Sequence, residues 1–396
     1  MRLRIDYKTI LLACLIISVG QLSMGLVLPS LPWIAKDFAI SLDQAQLLVS
    51  IYLLGFGPSQ FIYGPVSDAL GRKKVLLLGL LVALAGLVMI IFNSHSFQGM
   101  VLGRFLQGVG TGCCAVLARA STRDRFNGPE LPVAMSYIAM AASITPLFAP
   151  VIGGFINFHF GWLQVFISLF CYVTLAFVII TIQFQETVTQ KSTVPSPKII
   201  AKQYLQLLQS RYFISFASIS WLNFSLMITA VSVMPFIMQN QIGMASNEYA
   251  MWAVIPAIGM LLGTTLCNRI RPIIGSKAML LWTPALHLCA AIWLFVCPVE
   301  PLYLMLGQFL MILGNGIALP CAQAMVMQPY NRQAGAAAAM SGGGQMIVSS
   351  LVSMALTQLG LNQAWQLSFV IVLFAAITFA NILRGFSSTP QPLDNN

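Results

Sequence analysis

Charged residues are scarce in this sequence. Asp, Glu, Lys and Arg make up only 8% of the 396 residues, whereas 58% are hydrophobic. Soluble domains carry roughly 25% charged residues because their surfaces face water. The apolar residues come in blocks of about 18 to 24, each long enough to cross a hydrocarbon core roughly 30 Å thick as a helix. The scarcity of charge excludes a soluble globular protein, and the apolar blocks predict one that crosses a membrane many times.

Long polar stretches between the apolar blocks are also rare, and the one at 185–210 contains Pro195 and Pro197. The unbroken apolar blocks lack the two-residue alternation of barrel strands, so we predict an all-α membrane protein. Twelve transmembrane helices are placed at 9–30, 44–66, 75–93, 98–118, 133–157, 163–183, 213–238, 249–268, 278–297, 301–325, 335–357 and 364–383. The polar stretch is interpreted as a cytoplasmic linker between two six-helix halves, 1–184 and 211–396.

Basic residues outnumber acidic ones by 20 to 10, which by itself is compatible with a nucleic-acid partner. If the N-terminus is cytoplasmic, however, 18 of the 20 basic residues fall in the tails and loops of that side. The exceptions are Lys36 in an outer loop and Arg104 inside a span. This distribution follows the positive-inside rule. It predicts that both termini and the linker are cytoplasmic, with the lipid bilayer rather than nucleic acid as the partner.

Groups typical of metal or catalytic chemistry are not assembled in any recognisable pattern. The eight cysteines lie in or at the ends of predicted spans, without the spacing of metal ligands, and we interpret them as packing residues. No pairing of a nucleophile with a base stands out. We therefore expect no metal, no cofactor and no enzymatic activity.

The turn after the second span carries the most specific motif, G-x-x-x-D-x-x-G-R-[RK]. It resembles the loop signature of the major facilitator superfamily and implies that fold, with two six-helix halves. The resemblance also implies a conformational latch, in which Asp124 is the expected partner of Arg72. We expect Asp68 to lie against the positive N-terminus of another helix. Plain positive-inside charges are the alternative for the basic residues. The motif residues are Gly64, Asp68, Gly71, Arg72 and Lys73.

Two further motifs resemble signatures of the same superfamily. Arg104 begins R-x-x-Q-G-x-G in the fourth span; a charge there is costly and points to function, unless the side chain snorkels to the surface.

The fifth span contains T-P-L-F-A-P-V-I-G-G, which is similar to the G-P-x-x-G-G signature of the drug:proton antiporter branch, with Ala149 in place of the first glycine. A kinked packing helix is the alternative. The residues of this helix-packing motif are Pro146, Pro150, Gly153 and Gly154.

Shorter motifs, among them Gln185-Glu186-Thr187 after the sixth span and Ser59-Gln60 in the second, resemble the Bcr/CflA and EmrD-like multidrug exporters. This resemblance implies export of amphipathic or neutral antibacterial compounds in exchange for protons, by alternating access. It also implies a monomer in the inner (cytoplasmic) membrane of a bacterium. A proton-coupled uptake symporter for a small nutrient is the alternative, but its site would need a denser cluster of polar groups.

Acidic residues are absent from the predicted span interiors, because all ten lie in loops, tails or at span ends. Proton coupling then has to use Asp68 and Asp124 at the cytoplasmic rim, a histidine, or a charge on the substrate. His287 lies deep in a span and imidazole titrates near neutral pH. A structural histidine that bonds to a neighbouring helix is the alternative.

Candidate substrate contacts are polar, aromatic or methionine side chains that share a helix face. Soft Met and flat aromatic surfaces suit varied apolar drugs, although packing is the alternative for each residue. The candidates are Gln21, Met24, Tyr52, Phe56, Arg104, Asn223, Met227, Trp252 and Asn315.

Overall fold

The computed structural model describes residues 6–126, 130–188, 197–330, 334–361 and 363–388, and in these ranges it is helical with no strand. The expected all-α fold is confirmed. The helices are α1 (Tyr7–Gly25), α2 (Leu31–Asp37), α3 (Leu42–Leu70), α4 (Arg72–Phe92), α5 (Phe97–Arg125), α6 (Glu130–Phe160), α7 (Trp162–Gln183), α8 (Pro197–Gln209), α9 (Arg211–Phe236), α10 (Ser246–Trp252), α11 (Val254–Val296), α12 (Pro301–Met327), α13 (Ala334–Gln358) and α14 (Ala364–Ser387).

Eleven segments of the described chain are long and apolar enough to cross a membrane, and one of them contains two spans. The segment Ser246–Val296 has 51 residues, about 75 Å of helix at ~1.5 Å per residue, far more than the roughly 30 Å of a hydrocarbon core. Gly275, inside α11, has non-helical backbone angles (φ 83°, ψ 161°). The helix is interrupted at this residue, so the segment Ser246–Val296 holds the predicted eighth and ninth spans and the described chain contains twelve spans.

Contacts between Cα atoms divide the chain into two compact units. The N-terminal unit comprises Met1–Ala39 and Leu47–Pro195, and the C-terminal unit comprises Ile40–Gln46 and Ser196–Asn396. The first few residues of α3 therefore group with the C-terminal unit. The termini, 1–5 and 389–396, and 189–196 of the predicted linker lie outside the described residues.

The structure differs from the sequence-based expectation in two places. The predicted first span at 9–30 is broken, because α1 ends at Gly25 and a 3-10 turn at Leu28–Ser30 leads into α2. The turn includes Pro29, which lacks a backbone N–H to continue an α-helix. The predicted linker contains helix α8. Although this segment is polar in composition, Leu207 is buried. An amphipathic helix needs only a narrow apolar stripe, so composition alone did not predict α8.

Two glycines of the R-x-x-Q-G-x-G motif let α5 approach both of its neighbours. A Cβ at Gly108 would collide with the carbonyl oxygen of Tyr52 on α3, and one at Gly110 with the backbone of Ala83 on α4. These residues are two apart and face different neighbours because each step along a helix turns by about 100°. Close backbone approach through small residues is the usual packing mode of helices in lipid.

Large apolar side chains cover the outer faces of both units. Phe92 and Ile182 in the N-terminal unit, and Ile292 and Phe369 in the C-terminal unit, are more than half exposed. Soluble monomers rarely expose apolar surface on this scale. These faces therefore fit contact with lipid acyl chains.

Candidate functional site

Arg104 is completely buried in the N-terminal unit, with 0% of its surface exposed. Its Nε donates to the carbonyl oxygen of Leu48 at 3.0 Å, and its Nη1 donates to the carbonyl oxygen of Ser23 at 2.9 Å. Nη1 also donates to Oε1 of Gln107 at 2.7 Å. The guanidinium group points inward, so the snorkelling interpretation is wrong.

Within the ranges that the structure describes, no carboxylate pairs with the positive charge of Arg104. Ser23 lies in the last turn of α1, where carbonyl groups lack helical partners and the helix dipole is negative. The guanidinium carbon lies 4.4 Å from the ring centroid of Tyr52, close enough for a cation–π interaction. Among the described residues, Nη2 of Arg104 and Nε2 of Gln107 have no hydrogen-bond partner. A buried donor without a partner costs free energy.

Tyr52 connects three helices around Arg104. Its hydroxyl donates to the carbonyl oxygen of Gly20 on α1 at 3.0 Å and lies 2.8 Å from Oγ1 of Thr111 on α5. Phe56, one turn later on α3, stacks on its ring with centroids 5.7 Å apart. The structure thus brings together three of the predicted substrate contacts, Tyr52, Phe56 and Arg104. Gln21 and Met24 are half-buried on α1, and their contact with substrate remains a prediction.

The predicted contacts of the C-terminal unit take part in helix packing. Asn223 on α9 donates to Oγ1 of Thr378 on α14 at 3.3 Å. Met227 and Trp252 are half-buried against the apolar core. Asn315 on α12 is buried and bonds to α11 rather than standing free. These contacts are of the kind that stabilises helix bundles, and contact of these residues with substrate also remains a prediction.

His287, proposed from the sequence as a coupling candidate, lies on α11 and is buried against α12. Its Nε2 lies 3.1 Å from Oδ1 of Asn315. A Cβ at Gly314 would press on the imidazole ring, which fits tightly there. This is the hydrogen-bonded structural arrangement that the sequence left open for His287.

Arg72 is the centre of the predicted latch, and only 5% of its side chain is exposed. Its Nε donates to Oδ2 of Asp124 at 2.9 Å, which places the expected ion pair within the N-terminal unit. Its Nη2 pairs with Asp68 one turn earlier, and its Nη1 bonds to Ser67. Asp68 therefore contacts Arg72, whereas the sequence led us to expect it at the N-terminus of another helix.

Glu186 occupies a helix N-terminus in this region, a role that the sequence analysis missed. Its carboxylate oxygens accept the backbone N–H groups of Arg72 at 2.9 Å and Lys73 at 3.2 Å, at the start of α4. A carboxylate is favoured there because it faces unpaired N–H groups and the positive end of the helix dipole. Lys73 also donates from Nζ to the carbonyl oxygen of Thr181 on α7 at 2.8 Å. Gly64 of the same motif lies on α3, where an added Cβ would meet only Val116.

Gly71 fits the latch for two reasons. Its φ of 104° is one that residues with a side chain rarely adopt, and a Cβ there would collide with the carboxylate of Glu186. Gly161, before α7, has a similar φ of 89° but open space around it. Alanine substitutions at Gly71 and Gly161 therefore distinguish the cost of backbone strain from the cost of the collision with Glu186.

We expect Gly71→Ala to lower the free energy of unfolding more than Gly161→Ala does. Backbone strain costs about 1–3 kcal/mol in either case, and displacing the Glu186 carboxylate adds about 1 kcal/mol at Gly71. Thermal unfolding of the purified variants measures the difference. In a Glu186→Ala background the extra loss should disappear, and equal losses in the native background would contradict the role of Glu186.

The helix-packing motif of α6 fits against α1. A Cβ at Gly153 would collide with the carbonyl oxygen of Leu26, and one at Gly25 would lie 2.6 Å from the Cβ of Ala149. Gly25 thereby makes room for the alanine that replaces the first glycine of the signature. Gly154 is buried, whereas Pro146 is exposed and Pro150 half-buried. Gly153 thus permits close packing of α6 on α1, and a role of the motif in transport stays a prediction.

Comparisons with known proteins agree with this architecture. The family model described as Major Facilitator Superfamily matches residues 13–233. The MFS-type transporter YdgK of Bacillus subtilis is 28% identical over 96% of this chain and 94% of its own length. Multidrug resistance protein D of Escherichia coli is 24% identical over 98% of this chain and 99% of its own length. The resemblance stated from the motifs is confirmed.

Among solved structures, a bacterial homologue of the human lysosomal transporter Spinster superimposes with a TM-score of 0.72 at 15% identity. The match covers 98% of this chain and 99% of the homologue, so the fold is shared over the whole length. Together with the family model and the twelve spans, it shows that this chain belongs to the Major Facilitator Superfamily of membrane transporters.

Proposed function

We propose that this transporter is a multidrug exporter, which moves amphipathic or neutral antibacterial compounds out of the cell in exchange for protons by alternating access. The single observation that supports the substrate class is the buried guanidinium group of Arg104, which pairs with no carboxylate in the described part of the chain. The name of the E. coli relative, Multidrug resistance protein D, supports the direction of transport and the breadth of substrates.

The surroundings of Arg104 favour neutral or zwitterionic compounds over compact cations. A second positive charge nearby is repelled in a low dielectric and finds no carboxylate to offset its desolvation. The free N–H groups on Arg104 and Gln107 suit an oxygen acceptor on the substrate. Phe56 and Met24 offer apolar surface that adapts to varied shapes. Delocalised aromatic cations are the ones we expect to be tolerated, through cation–π contacts.

Proton exchange is assigned to the carboxylates at the rim, because the spans contain no acidic residue in their interior. Arg72 lies between Asp68 and Asp124. When a conformational change alters which carboxylate pairs with Arg72, the freed group binds a proton more readily.

The proposed location is the inner membrane of a bacterium, with the protein as a monomer and both termini in the cytoplasm. The basic residues of the tails and even-numbered loops support this orientation. Labelling of Ile200→Cys, in a variant without the native cysteines, tests it in intact cells. We expect a membrane-impermeant thiol reagent to react only after the cells are opened, and labelling from outside would overturn the orientation.

Transport in reconstituted vesicles tests the function. Protein is inserted into vesicles loaded with fluorescent dyes or antibiotics, a pH gradient is imposed, and movement of each compound is followed. We expect gradient-driven transport of several unrelated neutral compounds, opposite in direction to the protons. Movement of one small polar nutrient in the same direction as the protons would instead establish the uptake symporter.

A further inference from the structure

A cavity of about 350 Å³ lies in the C-terminal unit, where α9 begins and α14 ends. Arg211 is the first residue of α9, and Arg384 lies in the last turn of α14. Both arginines line the cavity, together with Ser215, Asn381 and Ser388. Neither arginine belongs to a motif of the superfamily identified in this sequence, and nothing in the proposed transport cycle uses them.

The two arginines have no protein partner among the residues that the structure describes. No ion pair or hydrogen bond from either side chain is found there, and both side chains are exposed. Two like charges that share one cavity repel each other, and an anion between them removes this cost. Guanidinium groups present N–H donors in a planar fork that matches the oxygens of a phosphate group.

The apolar surface next to the cavity indicates where such a phosphate comes from. On α14, Leu373 and Ile377 are exposed, and they precede Arg384 by eleven and seven residues, which places all three on one helix face. This face turns an apolar stripe toward lipid and ends in a positive charge. Basic pockets between transmembrane helices recognise lipid head groups in this way.

We propose that this arginine cavity binds a phosphate group, and that the phosphate is the head-group phosphate of an anionic phospholipid whose acyl chains lie along the exposed stripe of α14. A free phosphate ion would pair with the arginines but would make no contact with the exposed apolar stripe of α14. Lys277 adds to the local positive potential, since its Nζ lies 5.2 Å from the ring centroid of Phe386, next to the cavity.

Native mass spectrometry of the delipidated full-length protein, titrated with phosphatidylglycerol or phosphatidylcholine, tests the proposal. We expect Arg211→Gln/Arg384→Gln to weaken phosphatidylglycerol binding about thirtyfold, because each of the two basic residues contributes ~1 kcal/mol near a lipid surface and ~1.4 kcal/mol is tenfold. The matched control is Arg269→Gln/Arg271→Gln, which removes two charges from the same unit outside the cavity lining and should bind like the native protein. Size-exclusion chromatography checks that each variant is folded.

Inorganic phosphate provides the second arm, with chloride at equal ionic strength as the reference. If phosphate alone raises the melting temperature through Arg211 and Arg384, and phosphatidylglycerol binds no better than phosphatidylcholine, the lipid source is overturned and a soluble phosphate compound is the ligand. If the cavity variant and the control bind phosphatidylglycerol equally, and phosphate has no effect, the site itself is refuted. Weaker phosphatidylglycerol binding in the cavity variant alone supports the proposal.

Discussion

Arg104→Met is expected to reduce the export of neutral compounds by about tenfold to hundredfold, because hydrogen bonds from a charged group contribute ~1.5–3 kcal/mol and ~1.4 kcal/mol is tenfold. Methionine fills a similar apolar volume but offers no donor to the substrate or to Gln107. Transport of each compound into or out of vesicles under a fixed pH gradient measures the loss.

The same variant should remain folded. The carbonyl oxygen of Ser23 at the end of α1 loses its cation, which costs about 1–2 kcal/mol, but the penalty for burying a charge disappears as well. Thermal unfolding therefore separates loss of transport from loss of structure.

Removing the charge should also change which substrates are accepted. We expect Arg104→Met to bind compact cations better than the native protein does, since the repulsion by the guanidinium group is gone. Arg104→Lys is the matched control, because it keeps the charge while lacking the fork that reaches Leu48 and Ser23 together. If neutral compounds are exported normally by Arg104→Met, the assignment of Arg104 to the substrate site is wrong.

Asp124→Asn is the second change with a large expected effect: it should uncouple export from the pH gradient while drug binding stays largely intact. Asp124 is the less exposed of the two carboxylates on Arg72, at 19% against 46% for Asp68. Its loss leaves the buried guanidinium group of Arg72 with one carboxylate partner fewer, which lowers the free energy of unfolding by about 1–2 kcal/mol after allowance for solvent screening. Drug affinity and gradient-driven flux, measured on the same vesicles, give the two readouts.

Asp68→Asn and His287→Ala are the comparison variants for this experiment. We expect Asp68→Asn to impair transport with near-normal membrane insertion, because the latch loses a contact that is needed in one conformation. His287→Ala should leave the coupling unchanged, since the imidazole bonds to Asn315. Normal pumping by Asp124→Asn together with uncoupling by His287→Ala would refute the rim mechanism and make the buried imidazole the proton carrier.

The sequence by itself was sufficient to predict that the protein crosses a membrane, that it does so twelve times, and which superfamily it resembles. Transfer of apolar side chains from water to lipid is a local property, so the length and polarity of each block are sufficient to predict a span. The motif around Asp68 and Arg72 is also local, because a tight turn between two helices needs its glycine and charges at fixed spacing. The pairing of Arg72 with Asp124, expected from the resemblance, is present in the structure.

Tertiary structure alone decided what the buried polar groups do. Arg104 bonds to Leu48 and Ser23, which are 56 and 81 residues away in the chain, and no periodicity within α5 shows whether its side chain turns inward or snorkels. Glu186 reaches the start of α4 because α7, which precedes it, packs against α4. Lys73 and Glu186 are 113 residues apart in the chain. A hydrogen bond depends on where two distant backbones meet, and that is fixed only when the helices have packed.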